Sequence, residues 1–124
     1  MKKINILYIT YDGLTDPLGQ SQILPYLTKI ANKNIYIDIL SFEKKITFLS
    51  TTKKVKDKIS SSNIKWIPLF YIKNPPIFST LVDLIKAHVS SKKLFKNSSY
   101  DIVHCRGYIP SIIGLHMKKK YNVK

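Results

Sequence analysis

A chain of 124 residues, 44% hydrophobic and 11% aromatic, can bury one core, which excludes a disordered polymer and a multidomain assembly. Its formal charge of +14 attracts anions of every class, but the cations are lysines apart from Arg106, whereas surfaces that read base sequence lean on arginine forks. Specific nucleic-acid binding is therefore not expected, and the single cysteine, Cys105, excludes an internal disulfide.

The opening "MKKINILYITYD" has a basic start and a short apolar stretch. Asn5 interrupts it, Asp12 ends it and no small-x-small cleavage site follows, so it reads as a first strand over 4–10 and not as a signal peptide. No apolar run approaches the ~20 residues that span a bilayer. With no export signal, the cytoplasm is the expected location.

Helical spacing follows over 20–33, where Ile23, Leu24, Leu27, Ile30 and Ala31 share a face. Pro25 leaves its start open. A helix from Gln20 or Ser21 loses one early hydrogen bond at Pro25, whereas a helix from Leu24 has proline in its first turn. A second strand is predicted over 35–42 ("IYIDILSF"), then a weaker helix over 45–60 with Phe48, Leu49, Val55 and Ile59 as its stripe. The third strand is predicted over 64–72, and "KNPP" (73–76) reads as a rigid turn.

The strongest helical pattern covers 77–96, with Phe78, Leu81, Val82, Ile85 and Val89 on one stripe and lysines weighting its second half, near the negative end of the helix dipole. "DIVHC" (101–105) is the fourth strand. A last helix begins near Pro110 and runs through Ile112, Ile113, Leu115 and Met117 into "KKKY". The order βαβαβαβα, with helical crossovers between strands, predicts an α/β fold: a Rossmann-like parallel sheet of about four strands flanked by helices, in a single domain over 1–124. The terminal "YNVK" reads as the start of a fifth strand, so the chain is expected to be a fragment.

In an open parallel sheet, ligands bind outside the carboxyl ends of the strands. Two segments fall there. The first is the loop "YDGLTDPLGQSQ" (11–22), in which Gly19 would let backbone approach an anion and Gln20, Ser21 and Gln22 add donors and acceptors. The alternative reading is a plain turn, with Gly13 and Gly19 serving geometry and Asp12 or Asp16 bonding local backbone. The dinucleotide fingerprint G-x-G-x-x-G and the phosphate cradle G-x-x-x-x-G-K-[ST] are both absent.

The second segment is "HCRGYIPS" (104–111). His104 and Arg106 alternate along the strand and are expected on the same side, with Tyr108 just beyond. Arg106 is a fork-shaped cation in a lysine-rich chain; it reads either as a ligand-holding group or as a surface partner of Asp12 or Asp101. His104 reads as a ligand contact or as a core histidine. His88 and His116 are placed on helices without a role, and no metal-ligand spacing, paired carboxylates or nucleophile elbow is present.

In order along the chain, "YDGLTDPLGQSQILPYL", "SFEK", "IKWIPLFY" and "YDIVHCRGYIPS" resemble the N-terminal domain of family 4 glycosyltransferases. These are GT-B enzymes with two Rossmann-like domains around a cleft. The resemblance implies a retaining hexosyltransferase, of the kind that builds cell-envelope polysaccharide. A nucleotide-sugar is its co-substrate, a sugar or lipid-linked molecule its acceptor, and no metal or resident cofactor is required. The donor-binding C-terminal domain does not lie within these residues, so the 124-residue chain is expected to be inactive alone.

Asp12, Gly19, Gln20, Ser21, His104, Arg106 and Tyr108 are the expected substrate-binding residues, with no catalytic residue assigned; the resemblance itself implies that Gly19 stands at the loop glycine that approaches the donor phosphates and Arg106 at a position near the reacting sugar. Many relatives carry a histidine at the position of Arg106, so that histidine's role is not carried over to His104. Lysine-rich helix faces fit relatives that contact an anionic membrane peripherally at its cytoplasmic face; the alternative reading is a solvated surface in a lysine-rich chain. The alternative reading is a small stand-alone α/β ligand-binding module, receiver-like or flavodoxin-like.

Overall fold

The computed structural model describes residues 2–71 and 76–124. Four strands, β1 (Ile4–Thr10), β2 (Ile35–Glu43), β3 (Ile64–Phe70) and β4 (Ile102–Arg106), form an all-parallel sheet in the order β3-β2-β1-β4. The connections carry a π-helical segment (Gly19–Ile23) that runs into α1 (Leu24–Ile30), then α2 (Lys45–Ile59), α3 (Pro76–Asn97) and α4 (Tyr108–Tyr121). This is the Rossmann-like α/β architecture that the alternation of apolar runs predicts. The turn expected at 73–76 and the expected strand end at Ile72 lie outside the described residues, apart from Pro76, which opens α3.

Side chains of β1 alternate between two apolar layers, as a strand covered on both faces requires. Leu7 and Ile9 join Leu40, Phe42, Ala87, Ile113 and Met117 beneath α3 and α4. Tyr8 joins Ile37, Ile39, Leu24, Leu27 and Val55 beneath α1 and α2. The chain steps outward from β1 to β2 to β3, then returns past them to lay β4 on the other side of β1. The winding direction therefore reverses between β1 and β4. At such a switch point, neighbouring connections leave on opposite faces and open a crevice at the carboxyl edge.

Three elements differ from the sequence reading. First, helical backbone begins at Pro17, ahead of both starts left open, although α1 itself begins at Leu24 with Pro25 in its first turn. The chain relaxes into a π-helix over Gly19–Ile23, with the Leu24 N–H donating to the Gly19 carbonyl, and this widened turn leads into Pro25 at the start of α1. Second, Leu49 is exposed at 84%, while Val55 and Ile59 carry the buried side of α2.

Third, the apolar stripe of α3 faces outward. Phe78 is 66% exposed, Ile85 54% and Val89 59%, while Asp83 and Ala87 are at 1% and 0%. Ser79, Asp83, Ala87 and Ser91 recur every four residues and form the inward face, where small side chains let the helix lie close to the sheet. On α4, Ile113 and Met117 are buried, but Ile112 and Leu115 point out as well.

Helix α4 ends at Asn122 in the left-handed conformation (φ 54°), which asparagine tolerates. Beyond it, the Val103 N–H donates to the Lys124 carbonyl at 2.8 Å and the Lys124 N–H donates to the Asp101 carbonyl at 3.2 Å. This is the pattern of a parallel bridge, made by Lys124 alone, since Tyr121 of the expected strand start ends α4 and Asn122 caps it.

Close packing of α4 on β4 depends on Gly114, where an added Cβ would overlap the Cys105 sulfur but sit 3.8 Å from the Cys105 Cβ. Gly114→Ala should cost about 1–3 kcal/mol in urea unfolding through this overlap. The double variant Gly114→Ala with Cys105→Ala should regain that loss, because a methyl group then occupies the sulfur's place. Burial also pushes the Cys105 thiol up to about 11, so the native protein should react with a disulfide reagent at pH 8 far more slowly than the urea-unfolded chain.

Candidate ligand site at the carboxyl edge

The loop after β1 is built on a buried carboxylate. Glu43, the last residue of β2, is fully buried, and both of its oxygens are saturated. Oε1 accepts from the Leu14 N–H at 2.7 Å and the Ser41 hydroxyl at 2.7 Å. Oε2 accepts from the Thr15 N–H at 3.2 Å and the Thr15 hydroxyl at 2.7 Å. Ser41 in turn accepts from Trp66 Nε1 at 2.8 Å, which ties β3 into the network.

Both loop glycines follow from this anchor. A Cβ on Gly13 would overlap the Glu43 carboxylate and crowd the Phe42 carbonyl. A Cβ on Gly19 would overlap the Gly13 carbonyl. Gly19 is buried, so its lack of a side chain lets the helix start lie against the loop, and what approaches it closely is the chain itself. Asp16 lies at that helix start, accepts the Gln20 N–H on its carbonyl at 2.9 Å and pairs with Lys44 at 3.5 Å.

Across the switch point, Arg106 at the end of β4 reaches the same loop. Its Nε donates to Asp12 Oδ2 at 3.3 Å, and its Nη2 donates to Gln22 Oε1 at 2.7 Å. Asp12 is itself fixed, since the Thr10 hydroxyl takes its N–H and contacts its carbonyl, both at 3.1 Å. Burial pushes the Tyr8 hydroxyl up in pKa, while the neighbouring Arg106 guanidinium pulls it down. His104 lies on the same face, edge-on to Tyr8 (centroids 4.8 Å) and near Tyr26 (6.3 Å). Burial lowers the pKa of His104, so its ring is neutral at pH 7 and offers one donor and one acceptor.

Of the residues singled out by sequence, Asp12, His104 and Arg106 meet at this crevice. Gly19 is interior to the loop. Gln20 turns away, giving its amide to the Leu14 carbonyl at 2.6 Å and its oxygen to Lys58 at 2.8 Å. The Ser21 hydroxyl donates to the Pro17 carbonyl at 2.8 Å within its own helix. Tyr108 opens α4 beyond Gly107 and is 93% exposed.

Sequence reasoning gave no role to Glu43, Tyr8 or Tyr26 and placed Gln22 only among general donors. A charged residue closing the apolar run "IYIDILSFE" was the available signal for Glu43. Among the described residues, no group of three or more His, Cys, Asp or Glu side chains is placed to hold a metal ion. The arrangement offers anion recognition: the exposed part of a guanidinium, oriented by two side chains, beside a neutral imidazole and a tyrosine. The fold is that of a Rossmann-like α/β domain, with its switch point at this edge. No family model and no curated protein matches the chain.

Glu43→Gln replaces one acceptor oxygen with an amide NH2 that faces hydrogen-bond donors whichever way it turns. It should cost about 1–3 kcal/mol in urea unfolding and speed amide exchange at Leu14 and Thr15. At the loop's first residue, the Tyr11 hydroxyl donates to Asp83 Oδ2 at 2.9 Å, and its pKa is pushed up to about 12 by burial, then by Asp83. An unfolded tyrosine ionises near ~10. The stabilisation from this group is therefore intact below about pH 10 and lost as the pH rises through 12. Tyr11→Phe should flatten that alkaline decline in a pH series of thermal melts.

Proposed function

We propose that this chain forms the acceptor-side domain of a two-domain GT-B glycosyltransferase, a retaining enzyme that moves a sugar from a nucleotide-sugar to a glycan or lipid-linked acceptor. The observation that carries the reading is the junction of Arg106 with Asp12 and Gln22. It joins the two sequence blocks on which the resemblance is most specific, "YDGLTDPLGQSQ" and "HCRGYIPS", at a switch point where α/β domains bind ligands. In this reading Arg106 stands where many relatives carry histidine. Its remaining N–H groups hold an anionic oxygen of the donor or acceptor, and His104 and Tyr26 flank the sugar. The reaction belongs to cell-envelope polysaccharide assembly at the cytoplasmic side of the membrane.

A GT-B site lies between two domains, and these residues make one. The 124-residue chain should therefore transfer no sugar from a UDP-, GDP- or ADP-sugar to any acceptor, and turnover by it alone would overturn the reading. It should still bind acceptor. Titration of the ¹⁵N-labelled chain with a short-chain prenyl-diphosphate sugar should shift the amides of Asp12, Gln22 and Arg106. Arg106→Ala should weaken that binding by about 10–100-fold, the loss expected for a charge-assisted hydrogen bond. Shifts confined to other parts of the fold would contradict the proposal.

A further inference from the structure

We propose that His88 of α3 and His116 of α4 form a two-histidine site for a divalent transition-metal ion of the class that prefers imidazole, such as Zn2+ or Ni2+. The two rings meet edge-on with centroids 4.6 Å apart. They line a recess of about 250 Å³ whose other walls are Leu84, Ile85, Ile112 and Ile113. Both helices run back from the carboxyl edge of the sheet, one before β4 and one after it, so they point the same way. Matching four-residue steps therefore set Leu84 by Ile112 and His88 by His116, followed by Lys92 and Lys120, whose charges both reach His88.

The spacing of the rings suits a shared ion. Two imidazoles that hold one metal at ~2.0–2.1 Å per nitrogen in neighbouring positions have centroids roughly 4.5–5.2 Å apart, from square-planar to tetrahedral geometry. The observed 4.6 Å lies within that range, so ligation needs only small side-chain rotations. Among the described residues neither ring has a hydrogen-bond partner, which leaves its nitrogens available. Burial, then the charges of His116, Lys92 and Lys120, lowers the His88 pKa, so that ring is unprotonated at neutral pH, as a ligand must be.

The chemistry of the recess narrows the ligand. Its volume is below the ~300–1,000 Å³ of clefts for organic ligands, yet it holds an ion with several waters at ~30 Å³ each. No carboxylate lines it, so Mg2+ and Ca2+, which take oxygen ligands, find none there. Waters complete the coordination, and Lys92 and Lys120 oppose the ion's charge, which keeps the affinity modest. An ion held by one ligand from each helix ties α3 to α4. The two histidines lie on different helices, so no ligand spacing along the chain announces them. The inference does not rest on the transferase reading.

Calorimetric titration of the whole chain with Zn2+ and with Ni2+, in a buffer that does not bind metals, tests the site. One ion should bind per chain, and Mg2+ should not bind. His88→Ala and His116→Ala should each weaken binding at least about tenfold, the lower bound for disturbing a metal ligand's surroundings. Cys105→Ala should leave it unchanged. In the ¹⁵N-labelled chain, Zn2+ should shift the ring nitrogens of His88 and His116 together and leave those of His104 in place. Zn2+ should also raise the melting temperature of the native chain and not of the two histidine variants, because the paired ligands exist only in the folded state. Lys92→Gln with Lys120→Gln should tighten binding about two- to fivefold at low salt.

Circular dichroism melts without metal confirm that each variant folds, and His88→Phe, which keeps a ring in the recess, replaces His88→Ala should that variant unfold. Affinity unchanged by loss of either histidine would overturn the proposal, as would ring shifts at His104 in place of His88 and His116. So would half an ion per chain with formation of a dimer, which assigns the ion to a site between two copies.

Discussion

The carboxyl edge of this sheet depends on one buried charge. Taking a carboxylate out of water costs several kcal/mol unless hydrogen bonds replace its hydration. Glu43 meets that demand with two backbone amides and two hydroxyls, and no cation lies within ion-pairing distance among the described residues. Three of the four donors belong to residues 14 and 15, so the strand end dictates the path of the loop. Gly13 is glycine because the carboxylate lies beneath it, and Gly19 is glycine because Gly13 then lies beneath the helix start. A loop held this way is an extension of the sheet.

The other wall has the same character. Arg106 ends β4, beside β1 in the sheet, and its register opposite Thr10 brings its guanidinium to the residues that follow Thr10. Asp12 and Gln22 come from the two ends of the loop, and Arg106 contacts both. A lysine ammonium, a point charge without planar geometry, would engage one partner and leave the other loose. The use of arginine at this position, in a chain that elsewhere chooses lysine, is therefore explained by bridging geometry.

Strand identity and parallel order were legible because they depend on local signals: apolar runs of strand length separated by crossovers. That the loops after β1 and β4 share one edge was legible for the same reason, since both strands run parallel as neighbours. The role of Glu43 was not, because its partners are loop backbone amides about 28 residues away in sequence and no pattern in "SFEK" announces them. Gly19 misled for a related reason. Glycine signals close approach, but sequence does not say whether a ligand or the chain does the approaching. The route past Pro25 was undecidable because a π-turn is set by where the preceding loop delivers the chain.

Helix α3 shows how tertiary contacts override periodicity. Its pattern is strongly amphipathic, and the ordinary inference is that the apolar side faces the core. Residues two apart lie about 200° around a helix, so Asp83 and Ile85 occupy nearly opposite faces, and one must be outside. Burying Ile85 would carry Asp83 away from Tyr11, the first residue of the Glu43-anchored loop. It would also withdraw Ala87 from beneath the sheet, where bulkier residues would hold the helix further off. The hydrogen bond that fixes the start of the loop thus also fixes the rotation of α3, and the exposed stripe is the consequence. The crevice on the carboxyl edge and the apolar outer face are in this sense one arrangement, coupled through Asp83.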